Sequence, residues 1–359
     1  MNYMKMMDLY FGFFHKVRKE LIKRSDRRQC KNRLSGEVVL TKQQEKQIHD
    51  FYKPYCKITT IFHQMYYEKT GLFSEKYIPI DIYTNVIDEY FNSRAEGKYL
   101  DNKCYYGAIF NGLRQPEFTV CRVGGFWYNS EMKMIDENEV KTIISAEKEL
   151  FVKAATESYG GQGVKYITNE EKDFFEQFED FAKKTKGDVI AQRAIKQHKD
   201  LAVINDSSVN TIRIISLLTK DGPKIYSSLL RVGMKGKKVD NYTSGGLTVG
   251  INHEGILNKY AYNSKGERFD KHPSNDFVFE GYKVPCYEKA REMVKKAHPM
   301  VPHFRLVSFD IAIAEDGEPV FVEANLCKGS VEIHEFNNGP LFGEDTKKVL
   351  DEVFGVSKD

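Results

Sequence analysis

No stretch of this chain approaches the ~18 consecutive apolar residues that a bilayer-spanning helix requires, so nothing in it reads as a transmembrane segment. Its hydrophobic start is interrupted by Lys5, Asp8, His15 and Lys16, and no small-residue cleavage site follows, which argues against a secretory signal. Six cysteines (Cys30, Cys56, Cys104, Cys121, Cys286, Cys327) are scattered, with no C-x-x-C and no Cys/His cluster at zinc spacing. The expectation is reduced thiols in a cytoplasm, not a disulfide framework or a zinc site. Internal repeats, low-complexity tracts and a Pro/Gly/Ser-rich linker are all missing, which excludes a fibrous or mainly disordered chain. Neither G-x-x-x-x-G-K-[ST] nor G-x-G-x-x-G occurs, which excludes the Walker and dinucleotide fingerprints.

What is present is an ordinary globular mixture: 359 residues, 41% hydrophobic and 29% charged, enough for two or three packed subdomains. The net charge of +3 conceals an asymmetry. Residues 1–33 hold ten Lys/Arg against Asp8, Glu20 and Asp26, a net +7, whereas the remainder carries 44 basic and 48 acidic residues, a net −4. A basic end beside Tyr10, Phe11, Phe13 and Phe14 suits an anionic membrane surface or an acidic partner; its plain alternative is a solvated, partly packed terminal helix. The body is not basic and has no aromatic–basic RNA signature, so nucleic acid is not an expected partner.

Apolar residues at three- and four-residue steps (Ile48, Phe51, Tyr52, Tyr55, Ile58, Ile61, Phe62, Met65) predict helix over 41–70, kinked or restarted by Pro54 and capped by Gly71. A second helix is expected over 81–96. Thr168 and Glu171 have capping-box spacing ahead of Phe174, Phe175, Phe178 and Phe181, and Pro285 suits the first turn of a helix reaching Ala297. Strand pairs lie between: 150–154 with 163–168, 210–218 with 224–232 around Asp221-Gly222, and 305–314 with 319–325 around Asp316-Gly317. Hairpins mixed with helices predict an α+β fold with antiparallel sheets, not a doubly wound Rossmann sheet. The expected divisions are a helical, basic region 1–75, a lobe 76–190 with a glycine-rich loop, and a C-terminal lobe 191–359.

The third hairpin carries the most chemistry. A two-residue Asp316-Gly317 turn sets Asp310 opposite Glu323 and Ser308 opposite Asn325. Alternation then puts Asp310, Glu323 and Asn325 on one face, and Phe309, Ile311, Ile313, Val320, Val322 and Ala324 on an apolar core face. Opposed carboxylates repel, so something positive should sit between them. Two carboxylates and an amide oxygen are hard ligands suited to Mg²⁺; the bland alternative is a solvated polar face. Lys153, followed by Gly160, Gly161 and Gly163, brings a point charge beside backbone N–H groups that an anion can approach, or is simply a flexible turn. Arg213, in an otherwise apolar strand, demands an anionic partner, structural or phosphate.

In order, the segments Asp101-Asn102-Lys103, Lys153 with its glycine loop, Val209-Asn210-Thr211-Ile212-Arg213, Arg231-Val232-Gly233, Asp240-Asn241 with Gly245-Gly246, Asp310…Glu323-Ala324-Asn325 and Asn338-Gly339-Pro340-Leu341-Phe342-Gly343 resemble the ATP-grasp superfamily, specifically its sugar-transfer-associated branch, over roughly residues 76–345. The resemblance implies two α+β lobes clasping ATP, preceded by a helical N-terminal region. It implies Lys103 and Lys153 on the α- and β-phosphates, and Ser158, Gly160, Gly161 and Gly163 in a loop closing over the triphosphate. It places Gln192 and Arg193 in the hinge strand 189–193 that meets adenine, with Gln192, Gln197 and Asp200 as the available ribose ligands. Mg²⁺ would be held by Asp310, Glu323 and Asn325, and Arg213 and Arg231 would stabilise the transferring phosphoryl group. The implied reaction is ATP-dependent joining of a small-molecule carboxylate to an amine through an acyl phosphate, on a sugar- or amino-acid-type substrate in a glycan pathway. A phosphotransferase acting on a carbohydrate hydroxyl and a non-catalytic scaffold are the alternatives. Cys327 and His334 flank these motifs; the first reads as a packed thiol and the second as a supporting or surface residue.

Overall fold

The computed structural model describes residues 3–93, 96–97, 100–156, 163–170, 173–238, 240, 242, 245–327 and 329–356. Its contacts divide the chain into two compact units: Met1–Phe91 with Ser330–Asp359, and Asn92–Gly329. The C-terminal segment thus returns to the N-terminal helices, a grouping that boundaries at 75 and 190 do not draw.

The first unit is helical. It contains α1 (Tyr3–Arg33), α2 (Lys42–Tyr52), α3 (Ile61–Thr70) and the later helices Val331–Asn338 and Thr346–Phe354. The helix expected over 41–70 is therefore two. Thr41 and Gln44 form a reciprocal capping box at the start of α2, which ends just before Pro54, whose ring supplies no N–H to continue the ladder. Gly71, at φ +74, closes α3 through its N–H to Tyr67 O. The helix expected over 81–96 is shorter and irregular: Ile80–Ile82, a π turn Tyr83–Ile87, then Asp88–Phe91. Tyr66 stacks on Tyr77 at 4.7 Å, and Tyr52 Oη donates to Tyr77 O at 2.6 Å. Glu335 is fully buried and accepts from the N–H groups of Ile78 (2.8 Å) and Leu341 (3.2 Å), tying the C-terminal segment to the loop before residue 80. Burial raises its carboxyl far above the usual range.

The second unit is built on two wholly antiparallel sheets. The first contains β1 (Phe118–Val123), β2 (Phe126–Asn129), β3 (Met134–Ile135), β4 (Glu149–Ala154), β5 (Val164–Thr168) and β6 (Val189–Gln192), in the order β3-β2-β1-β6-β4-β5. Helices Glu137–Ser145 and Phe174–Lys184 cover one face, where Val140, Ile144, Phe174 and Phe178 meet Leu150, Val152, Val189 and Ala191. Alternation turns Phe151, Lys153, Ile190 and Gln192 to the opposite face. The second helix is capped by Asp173, whose carboxylate accepts from Glu176 N at 2.9 Å; Glu171 of the expected capping box lies outside the described residues.

The second sheet contains β7 (Thr211–Thr219), β8 (Gly222–Val232), β9 (Leu247–Ile251), β10 (Leu257–Tyr262), β11 (Arg268–Phe269), β12 (Leu306–Ile313) and β13 (Pro319–Asn325), in the order β11-β10-β9-β8-β7-β12-β13. Helix Tyr287–Ala297 seals its core face with Ala290 and Val294 against Ile212, Ile214, Phe309 and Ile311. Pro285 precedes that helix instead of entering its first turn; Cys286, at φ +53, makes the start.

Two departures from the expected β12–β13 hairpin cancel. The connection is a three-residue loop, Glu315-Asp316-Gly317, closed by Ala314 N donating to Glu318 O at 3.0 Å with Gly317 at φ +77. That displaces the pairing by one residue from a two-residue turn. Beyond the turn Ile313 faces Pro319 and Ile311 faces Phe321; a bulge at Val322 then restores the expected register, with Asp310 opposite Glu323 and Ser308 opposite Asn325. The apolar assignment changes accordingly. Phe321, not Val320 or Val322, joins Phe309, Ile311, Ile313 and Ala324 in the core, while Val320 and Val322 pack with Ala312 and Ala314 on the side that bears Asp310. The β7–β8 hairpin also turns one residue earlier than expected, around Lys220-Asp221, with Thr219 opposite Gly222.

Each unit contains a fully buried histidine whose protonation burial opposes. His298 meets Ser216 Oγ (2.9 Å) and Phe304 O (3.0 Å), and His63 meets Glu75 O (3.3 Å); burial pushes both imidazoles down to about 4. Unfolded imidazoles take up protons near pH 6.5 while these do not, so folding stability should be lost as pH falls from about 6.5 toward 4. Melting temperature against pH should show that acid limb, and His298→Asn should flatten the part of it that belongs to the second unit.

Candidate active site

One row across the second sheet runs Glu323 (β13), Asp310 (β12), Arg213 (β7), with Thr211 opposite Arg231 on the neighbouring row. Because Ile212 and Ile214 point into the core, Thr211 and Arg213 point to the other side, with Asp310. Asp310 is 1% exposed and is gripped by two guanidinium groups. Arg213 donates Nε to Oδ1 and Nη2 to Oδ2, both at 2.7 Å, and Arg231 donates Nη1 to Oδ2 at 2.7 Å. Burial alone would raise this carboxyl, but the two cations outweigh it and hold Asp310 below its ordinary value. Burial likewise opposes the charge on Arg213, and Asp310 more than offsets that. Arg231 also reaches Asp240 Oδ1 at 3.2 Å, and Asp240 Oδ2 accepts from Thr211 Oγ1 at 2.5 Å and Thr211 N at 3.2 Å. The cation expected between Asp310 and Glu323 is therefore two separate clamps: arginines on Asp310, and Lys103 on Glu323 Oε1 at 2.9 Å.

Lys103 sits on a segment fastened to both sheets. Its N–H donates to Ala155 O just past β4 (3.0 Å), and Asn102 Nδ2 donates to Asp188 beside β6 (2.7 Å). Across the cleft, Lys103 Nζ meets Glu323 and Tyr106 Oη donates to Ala324 O at 3.3 Å, both on β13. Burial pulls the Lys103 ammonium down, but Glu323 pulls harder and the net shift is upward. Lys153, on β4, has no carboxylate within ion-pair distance among the described residues; its Nζ lies 5.9 Å from the Phe151 ring centre. Burial, and secondarily the Lys103 charge, push it down to about 8.

These side chains line a single cleft. Its lining combines apolar side chains (Phe151, Val164, Ile195, Val209, Val322) with charged ones (Lys103, Lys153, Arg193, Lys238, Arg231, Asp240, Asp310, Glu323). Counting Arg213, which is bound to Asp310, and setting aside exposed Lys238 and half-exposed Arg193, four cations (Lys103, Lys153, Arg213, Arg231) stand against three carboxylates (Asp240, Asp310, Glu323) among the described residues. Such a cleft attracts a polyanion attached to an apolar ring.

Asp310, Glu323 and Asn325 share this side as expected. Asn325 Nδ2 donates to Ser308 O at 3.3 Å, which directs its amide oxygen away from that contact. Asp310 uses three of about four lone-pair positions, and Glu323 accepts from Lys103, so the hard-oxygen donor set fits a magnesium ion that brings its own phosphate and water ligands. Among the described residues no three His, Cys, Asp or Glu side chains converge as a metal cage.

The remaining expected residues divide. Ser158, Gly160 and Gly161 lie outside the described residues; Gly163 closes the β4–β5 hairpin, its O accepting from Ala154 N at 2.7 Å, at φ +77. Gln192 is buried in β6, opposite Phe151 and Phe118. Arg193 lines the cleft, but its guanidinium is half-exposed and pairs with Glu147 and Glu117, each at 2.7 Å. Gln197 is engaged with its own loop, donating to Asn205 O and Ser208 O and accepting from Asn210, so it offers no amide to a ribose; Asp200 stands beside His198. Cys327 is a half-buried thiol that packs against Gly97 and the edge of the core, and His334 is fully buried in the helical unit, not at a surface. Sequence reasoning assigned no role to Asp240 or Thr211. Both stand within the quoted motifs, but no spacing rule links an acid in a loop to a threonine twenty-nine residues earlier.

Solved structures similar to this chain include the N5-carboxyaminoimidazole ribonucleotide synthetase from Thermotoga maritima, at 10% identity over 64% of this chain and 43% of that one, with a TM-score of 0.35. Others are the L-amino acid ligase from Bacillus licheniformis (13%, 80% and 53%, TM-score 0.39) and the D-alanine-D-alanine ligase from Coxiella burnetii (10%, 70% and 58%, TM-score 0.40). The chain spans about half the length of these proteins. No curated protein sequence matches it. Residues 84–349, a span that contains every member of the charged cluster, match the sugar-transfer associated ATP-grasp family, and the chain belongs to that family.

Proposed function

We propose that the protein is an ATP- and Mg²⁺-dependent carboxylate–amine ligase, working in the cytoplasm on a small acid and amine of the sugar-acid, amino-sugar or amino-acid type. The observation that carries this reading is the charge balance of the cleft: four cations against three carboxylates, with Lys153 meeting no carboxylate at ion-pair distance among the described residues. A triphosphate would supply the missing negative charge, and apolar side chains of the lining would meet its base.

Lys103 and Lys153 would hold the α- and β-phosphates, with Ser158, Gly160, Gly161 and Gly163 closing over the chain of phosphates. Gln192 and Arg193 would border the base. Asp310, Glu323 and Asn325 would hold Mg²⁺, which when bound neutralises charge on the terminal phosphates. Arg213 and Arg231, kept charged and fixed by Asp310, would face the oxygens of the transferring phosphoryl group. They hold that charge while the acid's oxygen bonds the γ-phosphorus and ADP departs; the amine nitrogen then attacks the acyl carbon, loses a proton and releases phosphate. Positioning and electrostatics suffice for both steps, so no nucleophilic side chain is required.

Glu323→Gln should lower turnover by at least about a hundredfold, as expected when a site loses part of several kcal/mol of charge stabilisation, with little change in melting temperature. ADP release followed against panels of acids and amines tests the reaction: phosphate should appear only when both are present. A stable phosphomonoester formed on a sugar hydroxyl would replace this reading with a phosphotransferase.

Lys153 gives a second test. Free Lys153 loses its proton from about pH 8 upward, whereas a bound phosphate favours the charged form. ATP affinity should therefore be greatest below about pH 8 and decline above it, with proton uptake on binding in the alkaline range. Calorimetry in buffers of different ionisation enthalpy measures that uptake. Lys153→Arg should remove the pH dependence, and Lys153→Ala should weaken ATP binding at every pH without changing the melting temperature of the nucleotide-free protein.

A further inference from the structure

Helix α1 has two unlike faces. One is fastened to its own unit: Lys19 pairs with Glu89, Arg27 donates both Nε and Nη2 to Asp81 at 3.0 and 2.8 Å, and Cys30 is buried. On the other, Phe13, Phe14, Val17 and Leu21 recur at three- and four-residue steps and are 63%, 50%, 39% and 60% exposed. Apolar side chains of this size clustered on an exposed face mark an interaction site. Lys16, Arg18, Arg24 and Arg28 are exposed around and beyond them.

We infer that α1 docks the protein on an anionic lipid surface, lying along it with the Phe13–Leu21 stripe in the headgroup boundary. The observations that select this partner are charge and shape. Residues 1–33 hold a net +7 while the rest of the chain is −4, so the net positive charge of the chain is concentrated in this segment. A helix of 31 residues extends about 45 Å, a length suited to a flat surface more than to a pocket. Large apolar side chains interleaved with the cations have a place between lipid headgroups but none against a phosphodiester backbone. Pairing with the same helix of a second copy would bring two +7 segments together. Among the described residues no helix is long and apolar enough to cross a membrane, so the segment lies on the surface and does not span it. This inference is independent of the catalytic reading.

The test uses the full chain, cosedimented with phosphatidylcholine vesicles and with vesicles in which about one third of the lipid is phosphatidylglycerol, at low and high salt. Binding should require the anionic lipid and fall on the order of tenfold as salt screens it. Lys16→Glu with Arg28→Glu should abolish the lipid dependence, and Phe13→Ser with Phe14→Ser and Leu21→Ser should reduce binding by a similar factor. Both variants should keep the parent's melting temperature and ATP binding, because every altered side chain is exposed. Absence of binding to anionic vesicles, equal binding to neutral ones, or binding that neither variant alters would overturn the inference. So would a dimer in solution that the serine variant converts to monomer, since the stripe would then be an interface between copies.

Discussion

Everything chemical in this molecule depends on the Asp310 carboxylate being buried between two arginines. An ionised carboxylate at that depth is tolerable only if paired and hydrogen-bonded, and Arg213 and Arg231 meet that condition from two neighbouring strands. The pairing works in both directions. It keeps the acid ionised and therefore able to ligate a cation, and it holds two guanidinium groups charged and fixed, that of Arg231 in the lining of the cleft. Loss of either partner would strand an opposite charge in the interior, at a cost of about 3–5 kcal/mol. The local net charge is thus fixed by the fold before any ligand arrives.

The second constraint is how the two sheets are held to a common cleft. Residues 102–106 carry contacts to each: Asn102 and the Lys103 backbone on the first sheet, the Lys103 ammonium and the Tyr106 hydroxyl on β13. Lys103 therefore touches both walls at once, and its ion pair with Glu323 links the lysines of the cleft to its carboxylates. Lys153 is different. It projects from β4, has no carboxylate at ion-pair distance among the described residues, and is driven toward neutrality by burial and by Lys103, the state expected of a group whose counter-charge belongs to a ligand.

How much of this was legible in the sequence follows from which interactions are local. Strand alternation around Asp310, Glu323 and Asn325 was readable because each strand pairs with its neighbour in sequence, and the family resemblance followed from the ordered motifs. The pairing of Asp310 with Glu323 emerged correctly although the turn was misread, because the longer loop at Asp316-Gly317 and the bulge at Val322 displace the register in opposite directions. The same bulge hid the apolar floor: Val322 looked like core by strict alternation and instead lines the cleft. The identity of the cation opposite Asp310 was invisible, since Arg213, Arg231 and Asp240 meet only through pairing across three strands. The return of the C-terminal segment to the N-terminal helices was likewise beyond reach, because its contacts join residues far apart in sequence, such as buried Glu335 with the Ile78 N–H and Tyr55 with Asp351.

The central claim is that this preset charge cluster is built to receive a polyphosphate together with a divalent cation. Calorimetric titration of the intact protein with ATP, with and without Mg²⁺, tests it most directly. The account predicts one saturable site, markedly tighter when Mg²⁺ is present, because Asp310, Glu323 and Asn325 then gain a cation while the lysines and arginines gain phosphate oxygens. Binding of equal strength with and without Mg²⁺, or no binding of ATP under either condition, would contradict it.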